Sequence, residues 1–376
     1  MERRIFLKAG SVALMSLAGA FAGGIWGFLR QAKFGGEATG ERLGRIQRSP
    51  NFRNGRFENL LETPMMTGEN GSLGVTLNFI FNGNKRRFPT DRIPSVRRDL
   101  RQLNPAENHF VWFGHSSYFL QVEGKRILVD PVLSGHASPV SFTTKAFAGT
   151  DPYTVADLPD IDYLFITHDH WDHLDHETVT KLRPKVKRVI CGLGVGAHLE
   201  RWGYAPAAIS EGDWGDRIRL GDGFTTEVLP ARHFSGRGLH RNQTLWASFA
   251  VRTAGGYKIF LGGDGGYGPH FKEFGERFGG FDLAVLENGQ YDAAWRYIHL
   301  MPEETLRAGE DLQAKLIVPV HNSKFCISNH DWDAPLRSLT DLAGAMRPEL
   351  VTPMIGSVVR LDNPAADCLA WWTTVA

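Results

Sequence analysis

Cysteine is nearly absent from this chain. Its 376 residues hold three, Cys191, Cys326 and Cys368, far apart in sequence. That excludes a disulfide framework and a CxxC-type thiolate metal site, and Cys326 reads as a buried free thiol. Net charge is equally small, +1 at pH 7 with histidine neutral, so nothing draws the chain in bulk to a polyanion. The charge is unevenly spread. Residues 1–101 carry 17 Lys+Arg against 8 Asp+Glu, leaving 25 against 33 in the remainder. An acidic main body repels a phosphate polymer, which argues against a nuclease and against nucleic acid as a partner. With 42% hydrophobic and 22% charged residues, the chain is an ordinary globular protein, long enough for one large domain or two.

What is present is a concentration of metal-ligand side chains. In Thr167-His168-Asp169-His170-Trp171-Asp172-His173-Leu174-Asp175, three histidines and three carboxylates fall within eight residues. The apolar run Tyr163-Leu164-Phe165-Ile166 just before it reads as a buried strand. A strand ending in a burst of His and Asp is a poor way to build a core. It is a good way to hold a metal, because neutral imidazole and carboxylate are donors that zinc accepts. A polar loop with chance histidines is the bland alternative, and it suits one histidine better than three. Asp175 is placed to cap a helix from about His176 to Leu182, with His176 on the helix surface and Asp169 facing solvent.

The regular fold begins near His109. Phe110 to Val122 alternates like paired strands around the turn Gly114-His115-Ser116-Ser117, and Arg126 to Val129 is a strand that ends in Asp130. Pro131 closes that ladder, having no N–H to give. The Gly-, Ser-, Thr- and Pro-rich stretch from Gly135 to Tyr153 reads as a loop. A strand at Arg188 to Gly192 and a helix at Ala197 to Trp202 complete an α/β pattern. Three later strands also run into ligand-type residues. Thr225 to Pro230 precedes His233, Tyr257 to Gly263 precedes Asp264, and Lys315 to Val320 precedes His321. Singly these read as a loop histidine, a turn aspartate and a satisfied histidine. Their shared position past strand ends makes the joint case, since neighbouring strands lie about 4.8 Å apart and loops leaving one sheet edge converge.

The N-terminus carries a different signal. Glu2-Arg3-Arg4-Ile5-Phe6-Leu7-Lys8 resembles the twin-arginine export consensus. Ala9 to about Leu29 is apolar and long enough for a bilayer, which needs about 20 residues. Ala18-Gly19-Ala20 and Ala20-Phe21-Ala22 look like small-residue cleavage sites. Residues 1–29 are therefore expected to be a signal or a membrane anchor, making the protein periplasmic or membrane-anchored. Retention would set the basic stretch Arg30 to Arg56 beside lipid headgroups. Residues 30–105 read as an N-terminal extension packed on the core through Phe52, Phe57, Leu60 and Leu61, with Leu73 to Phe81 as a strand or extended arm. The main domain takes residues 106–376.

The order His168-x-His170-x-Asp172-His173, then His233, Asp264 and His321, resembles the metallo-β-lactamase fold superfamily, with Asp130 at its first signature Asp. Five stretches are closer to one branch: Trp112 to Ser117, Asp130-Pro131-Val132, His168 to Asp175, Leu245 to Phe249, and Gly262 to Tyr267. They resemble the N-acylphosphatidylethanolamine-hydrolysing phospholipase D group. The export-like N-terminus departs from that branch. The resemblance implies an α/β fold, an αββα sandwich with two metal ions at one edge, usually zinc, with iron or manganese also tolerated. Carried over, His168, His170 and His233 hold one ion, Asp172, His173 and His321 the other, and Asp264 bridges them. Asp172 and His299 are the candidate catalytic residues, His299 for proton transfer or phosphate binding, though a histidine between Ile298 and Leu300 also suits a packed core. Asp130 and Asp175 are read as groups that orient ligand histidines.

Two ions sharing a water lower its pKa from about 15.7 toward 7, so the expected nucleophile is hydroxide. The resulting expectation is a phosphodiesterase of phospholipase D type at a membrane surface, acting on N-acylphosphatidylethanolamine-like phospholipids. The alternatives are a lactonase or sugar-phosphate hydrolase on the same site, kept open by Arg232, Arg237 and Arg241 around His233, and a non-catalytic membrane-tethered metal-binding protein. An apolar cleft mouth favours lipid, and one lined by Arg and Lys favours small phosphates.

Overall fold

The computed structural model describes residues 23–67, 83–344, 348–364 and 370–376, with the single positions 74, 77, 79 and 81. Arg3, Arg4 and the two cleavage-like sites lie outside the described residues. Residues 23–29 are helical, and no described helix is long and apolar enough to cross a membrane. Helix α1 (Gly40–Arg48) and the hairpin of β1 (Phe52–Arg53) and β2 (Arg56–Phe57) follow. Ile46 and Phe57 are buried in a cluster with Leu193, Leu245 and Trp246, and Phe52 packs at its edge. Leu60 and Leu61 do not join them and stay exposed. Between 73 and 81 the described positions Gly74, Leu77, Phe79 and Phe81 are helical. The strand or extended arm expected there is corrected on that ground: a short apolar run does not by itself separate helix from strand.

The main body is two seven-stranded sheets. The first holds β3 (His109–Trp112), β4 (Tyr118–Val122), β5 (Lys125–Val129), β6 (Ile161–Ile166), β7 (Val186–Gly192) and β8 (Ile209–Gly212). The second holds β9 (Arg217–Gly221), β10 (Phe224–Leu229), β11 (Ser248–Arg252), β12 (Lys258–Leu261), β13 (Phe281–Glu287), β14 (Ala314–Val320) and β15 (Glu349–Leu350). The late strand β16 (Val358–Arg360) returns to pair with β3.

Each sheet starts as an antiparallel meander and ends in parallel strands. β3 to β5 and β9 to β12 pair antiparallel, β10 and β11 across the long connection 230–247 that carries His233, whereas β5 to β8 and β12 to β15 pair parallel. Parallel pairs need crossover connections. Helices α2 (His176–Leu182), α3 (Gly196–Arg201), α4 (His270–Phe278), α5 (Pro302–Asp311) and α6 (Ala334–Ala343) lie in those crossovers.

The layers follow from strand alternation. Phe110, Trp112, Val129 and Phe165 face Phe249, Val251, Leu261 and Val285 in one buried cluster between the sheets. The intervening Val111, Phe113, Leu128 and Leu164 turn outward to Val179 and Leu182 of α2 and Leu199 of α3. On the other side Phe260 and Ala284 meet Phe271 and Phe274 of α4 and Ala308 of α5. The result is the expected αββα sandwich, with the carboxyl ends of β6, β10, β12 and β14 delivered to one edge.

Candidate metal centre

The loop after β6 is organised by Asp130 at the end of β5. Asp130 Oδ1 accepts the Thr167 N–H at 2.9 Å, and Oδ2 accepts the Thr167 hydroxyl at 2.5 Å and pairs with His173 Nδ1 at 2.8 Å. One buried carboxylate thereby ties the start of the loop to a histidine six residues on. The main chain then turns, with the N–H groups of His173 and Leu174 donating to His170 O at 3.1 and 2.8 Å. Asp175 accepts from Glu177 N at 3.2 Å and from the Thr178 hydroxyl. It caps α2 and takes no ligand histidine as partner, which corrects its expected orienting role. His176 is half-buried, its ring 5.0 Å from that of Trp202. Asp169 was expected in solvent; it is 3% exposed, because Thr244, His198 and Gly236 close over it.

The other candidates arrive as strand-end residues. His233 donates from Nδ1 to Ile298 O at 2.9 Å, which turns Nε2 toward His170 Nδ1 at 3.3 Å. Asn59 of the extension grips the same residue from both sides, accepting its N–H at 3.1 Å and donating to its carbonyl at 2.7 Å. Asp264 sits in Gly262-Gly263-Asp264-Gly265-Gly266, where side chains have no room. A Cβ on Gly263 would lie 2.5 Å from Ala247 O, and one on Gly266 would lie 2.1 Å from Tyr297 O. His321 adopts φ 68° and His115 φ 51°, left-handed values that are uncommon for non-glycine residues. The two are locked together, His321 N donating to His115 O and His115 N to Asn322 O, each at 2.9 Å.

The seven residues His168, His170, Asp172, His173, His233, Asp264 and His321 meet at this edge. His168, His170 and His233 form one compact donor group, and Asp172, His173 and His321 form another with His115. Asp264 lies between them, Oδ2 at 3.1 Å from His173 Nε2 and 3.8 Å from His233 Nε2, Oδ1 at 3.3 Å from His321 Nδ1.

The donors fit divalent cations. Burial pulls the rings of His168, His233 and His321 well below the usual imidazole value and takes His170 down to about 4. At neutral pH these rings carry lone pairs, yet His168 Nε2 and His170 Nδ1 stand 2.9 Å apart. Neutral imidazole nitrogens converging in a dry site are the donor set that a divalent cation takes. On the other side burial opposes protonation of His173, but Asp264, Asp172 and Asp130 outweigh it and hold that ring well above its usual value. Burial lifts the Asp264 carboxyl to about 6. The carboxylate cluster is short of positive charge, and protons make up the deficit.

Three residues of the centre were not assigned from sequence. His115 Nε2 lies 2.8 Å from Asp172 Oδ2 and fixes that carboxylate. Ser116 Oγ lies 2.9 Å from His321 Nδ1. Glu287 ends β13, as the other candidates follow theirs, and this strand-end signal was available. Its Oε1 accepts Gly265 N at 2.7 Å and Leu300 N at 3.2 Å, while Oε2 lies 2.6 Å from His299 Nδ1. His299 is therefore not packing filler; it lines the cleft.

That cleft holds about 220 Å³ above the ligand set. Met65, Met66, Phe234, Trp295, Ile298 and Ile327 line its mouth, with Gln290 and Arg241 as polar members. Of the three arginines near His233, Arg232 donates to Glu62 O and Tyr267 O, and Arg237 is buried against the metal loop. Arg241 alone faces the cleft.

A family model described as a β-lactamase superfamily domain matches residues 125–322. An uncharacterized protein of Mycobacterium tuberculosis is 35% identical over 381 residues, covering 99% of this chain and 99% of that one. An N-acyl-phosphatidylethanolamine-hydrolyzing phospholipase D 1 of Caenorhabditis elegans is 30% identical over 294 residues, 72% of this chain and 81% of that one. The solved structure of a possible metal-dependent hydrolase from Veillonella parvula superposes with TM-score 0.53 at 15% identity, covering 68% of this chain and 98% of the other, which speaks to the fold alone. With its two-sheet sandwich and its His/Asp centre at one edge, the chain belongs to the metallo-β-lactamase superfamily, as a metal-dependent hydrolase that resembles the N-acylphosphatidylethanolamine-hydrolysing phospholipase D branch.

Proposed function

We propose that the protein is a phosphodiesterase of phospholipase D type that cleaves N-acylphosphatidylethanolamine-like lipids. The observation that carries this reading is the cleft: a mouth of methionine, aromatic and isoleucine side chains with one cation, Arg241, above a buried His/Asp centre. Acyl chains suit the apolar rim, and a phosphodiester anion suits Arg241. The relationship to the nematode phospholipase supports the same choice. The twin-arginine-like start and the basic stretch after it support export and action at a membrane surface.

His168, His170 and His233 would hold one divalent ion and Asp172, His173 and His321 the other, with Asp264 shared. Such a pair, when bound, makes water a nucleophile near neutral pH and neutralises charge on phosphoryl oxygens. The protein's own groups do the rest. His115 holds the Asp172 carboxylate in place through its 2.8 Å contact. Arg241 orients the phosphodiester from the rim. Glu287 keeps the His299 ring fixed through Nδ1, which leaves Nε2 to pass the proton that the attacking water gives up on to the departing alcohol. The apolar rim excludes bulk water.

Purified protein loaded with zinc, iron or manganese should be offered a panel of phosphodiester, lactone and β-lactam substrates. Release of phosphatidic acid and N-acylethanolamine is the expected result. A fully occupied protein that turns over no lipid phosphodiester overturns the reading. Arg241 also favours one second reading, a lactonase or sugar-phosphate hydrolase, and preferential turnover of those soluble substrates would select it.

A further inference from the structure

Asp169 lies between the donors His168 and His170, and its carboxylate bonds away from them. Oδ1 accepts the Gly236 N–H at 2.6 Å, and Oδ2 accepts the Thr244 hydroxyl at 2.9 Å and His198 Nε2 at 3.1 Å. The Asp169 carbonyl accepts Arg237 Nη1 at 2.9 Å, and the same nitrogen reaches Leu174 O at 2.5 Å, so Arg237 spans both ends of the loop. Its guanidinium lies 3.9 Å over the Trp171 ring. Asp169, His198, Arg237 and Thr244 are all buried.

The far ends of these contacts land on a short piece of the N-terminal extension, Lys33 to Gly36. His198 Nδ1 accepts the Gly36 N–H at 3.0 Å. An accepting Nδ1 carries no proton, so the ring proton is on Nε2, where Asp169 needs it. Lys33 O accepts Arg237 Nε at 3.1 Å and Nη2 at 3.0 Å. The Phe34 ring meets Trp171 edge-on at 5.3 Å. Arg201 Nη1 and Trp202 Nε1 clamp the piece from α3 and its end, donating to Gly35 O and Ala32 O at 2.7 Å each. Gly35 has φ 83°, and a Cβ there would lie 2.0 Å from His198 Nδ1. The approach is that close because it serves the histidine.

We propose that Lys33–Gly36 is a positioning element of the metal centre, acting through His198 and Arg237 on Asp169 to set the placement of His168 and His170. The extension then belongs to the centre rather than covering it. Outer partners that orient metal ligands typically carry about 10–100-fold in metal affinity. This role holds whichever substrate the site takes, because it concerns the apo loop and its ion.

The test uses the full chain and zinc alone, by competition with a chelator, so it reads metal affinity without any substrate. His198→Ala removes both bonds and is expected to weaken zinc binding by about 10–100-fold. His198→Gln keeps a donor at the position of Nε2 and is expected to recover most of that loss. Gly35→Ala, which drives a methyl into the ring from the extension side, is expected to weaken zinc binding to a similar degree. It carries the measurement alone should His198→Ala fail to fold by circular dichroism. Zinc affinity equal to that of the unaltered protein in folded Gly35→Ala or His198→Ala, or no recovery in His198→Gln, overturns the proposal.

Discussion

Glu287 Oε2 lies 2.6 Å from His299 Nδ1; both side chains are buried, and His299 lines the cleft. Burial pushes the Glu287 carboxyl well up and the His299 ring down, and with Nδ1 held by Glu287 the ring exchanges protons through Nε2. Loss of a positioned acid–base group costs about 10²–10⁴-fold. His299→Ala is therefore expected to lower kcat by about 10²-fold or more with zinc content unchanged. Substrates whose leaving group is a weakly basic phenol need no proton and should lose far less. An equal loss for both leaving groups would remove His299 from the proton path. Glu287→Gln should show the same leaving-group dependence in milder form.

Asp130 offers a second test. Three donors converge on its carboxylate, Thr167 N, Thr167 Oγ1 and His173 Nδ1. Asp130→Asn leaves the shape nearly intact but puts an N–H where an acceptor stood. Metal affinity is expected to fall by about 10–100-fold, and the metal-free protein to lose about 1–3 kcal/mol because a buried donor loses its acceptor. Titration with a chelating dye, run beside calorimetry of the apo protein, separates the two.

The strands and the histidine cluster could be read from sequence because each is a local pattern. An apolar run followed by His or Asp needs no knowledge of the rest of the chain, and β6, β12 and β14 all carry that signature. The partners of those residues are not local. Asp169 meets His198, Gly236 and Thr244, 29 to 75 positions away. A polar residue in a loop reads as solvated until its neighbours are known, which is why its burial was missed. His115 sits in a turn whose purpose shows only when Asp172 is brought beside it from 57 positions on. Leu73, Val75, Leu77, Phe79 and Phe81 alternate as a strand would, yet Gly74, Leu77, Phe79 and Phe81 are helical, because a short alternating run is decided by its surroundings and not by its own pattern.

Gly266 links backbone crowding to the chemistry. A methyl there would lie 2.1 Å from Tyr297 O and 2.4 Å from its carbonyl carbon, and Tyr297 is two residues before His299. Gly266→Ala is expected to cost about 1–3 kcal/mol, the usual range for overpacking a tight site. It should also displace the segment that carries His299. A lowered unfolding midpoint together with a kcat loss larger than that of Gly256→Ala is the expected pattern; Gly256 has open space around it, so its cost comes from backbone strain alone at φ 90°.

His270 gives the pH dependence. It starts α4, its ring 4.3 Å from Phe271 and 5.7 Å from Phe274, away from the metal donors. Burial, helped by the charge of Arg232, lowers its pKa from 6.5 to about 4. A depressed histidine pKa means that the unfolded chain takes up the proton first. Above about pH 6.5 both states are neutral there and His270 adds no pH dependence. Between pH 6.5 and about 4 the unfolded state binds more protons, so stability falls as the pH falls, and below about 4 the loss levels off. Two and a half units correspond to about 3 kcal/mol at most. The centre histidines titrate over part of the same range, so the measurement is a difference. Urea unfolding of apo wild type and of apo His270→Gln, run at pH 7.5, 6, 5 and 4, should show the variant gaining on wild type steadily as acid is added. Parallel stability curves for the two proteins would show that His270 is as easily protonated folded as unfolded.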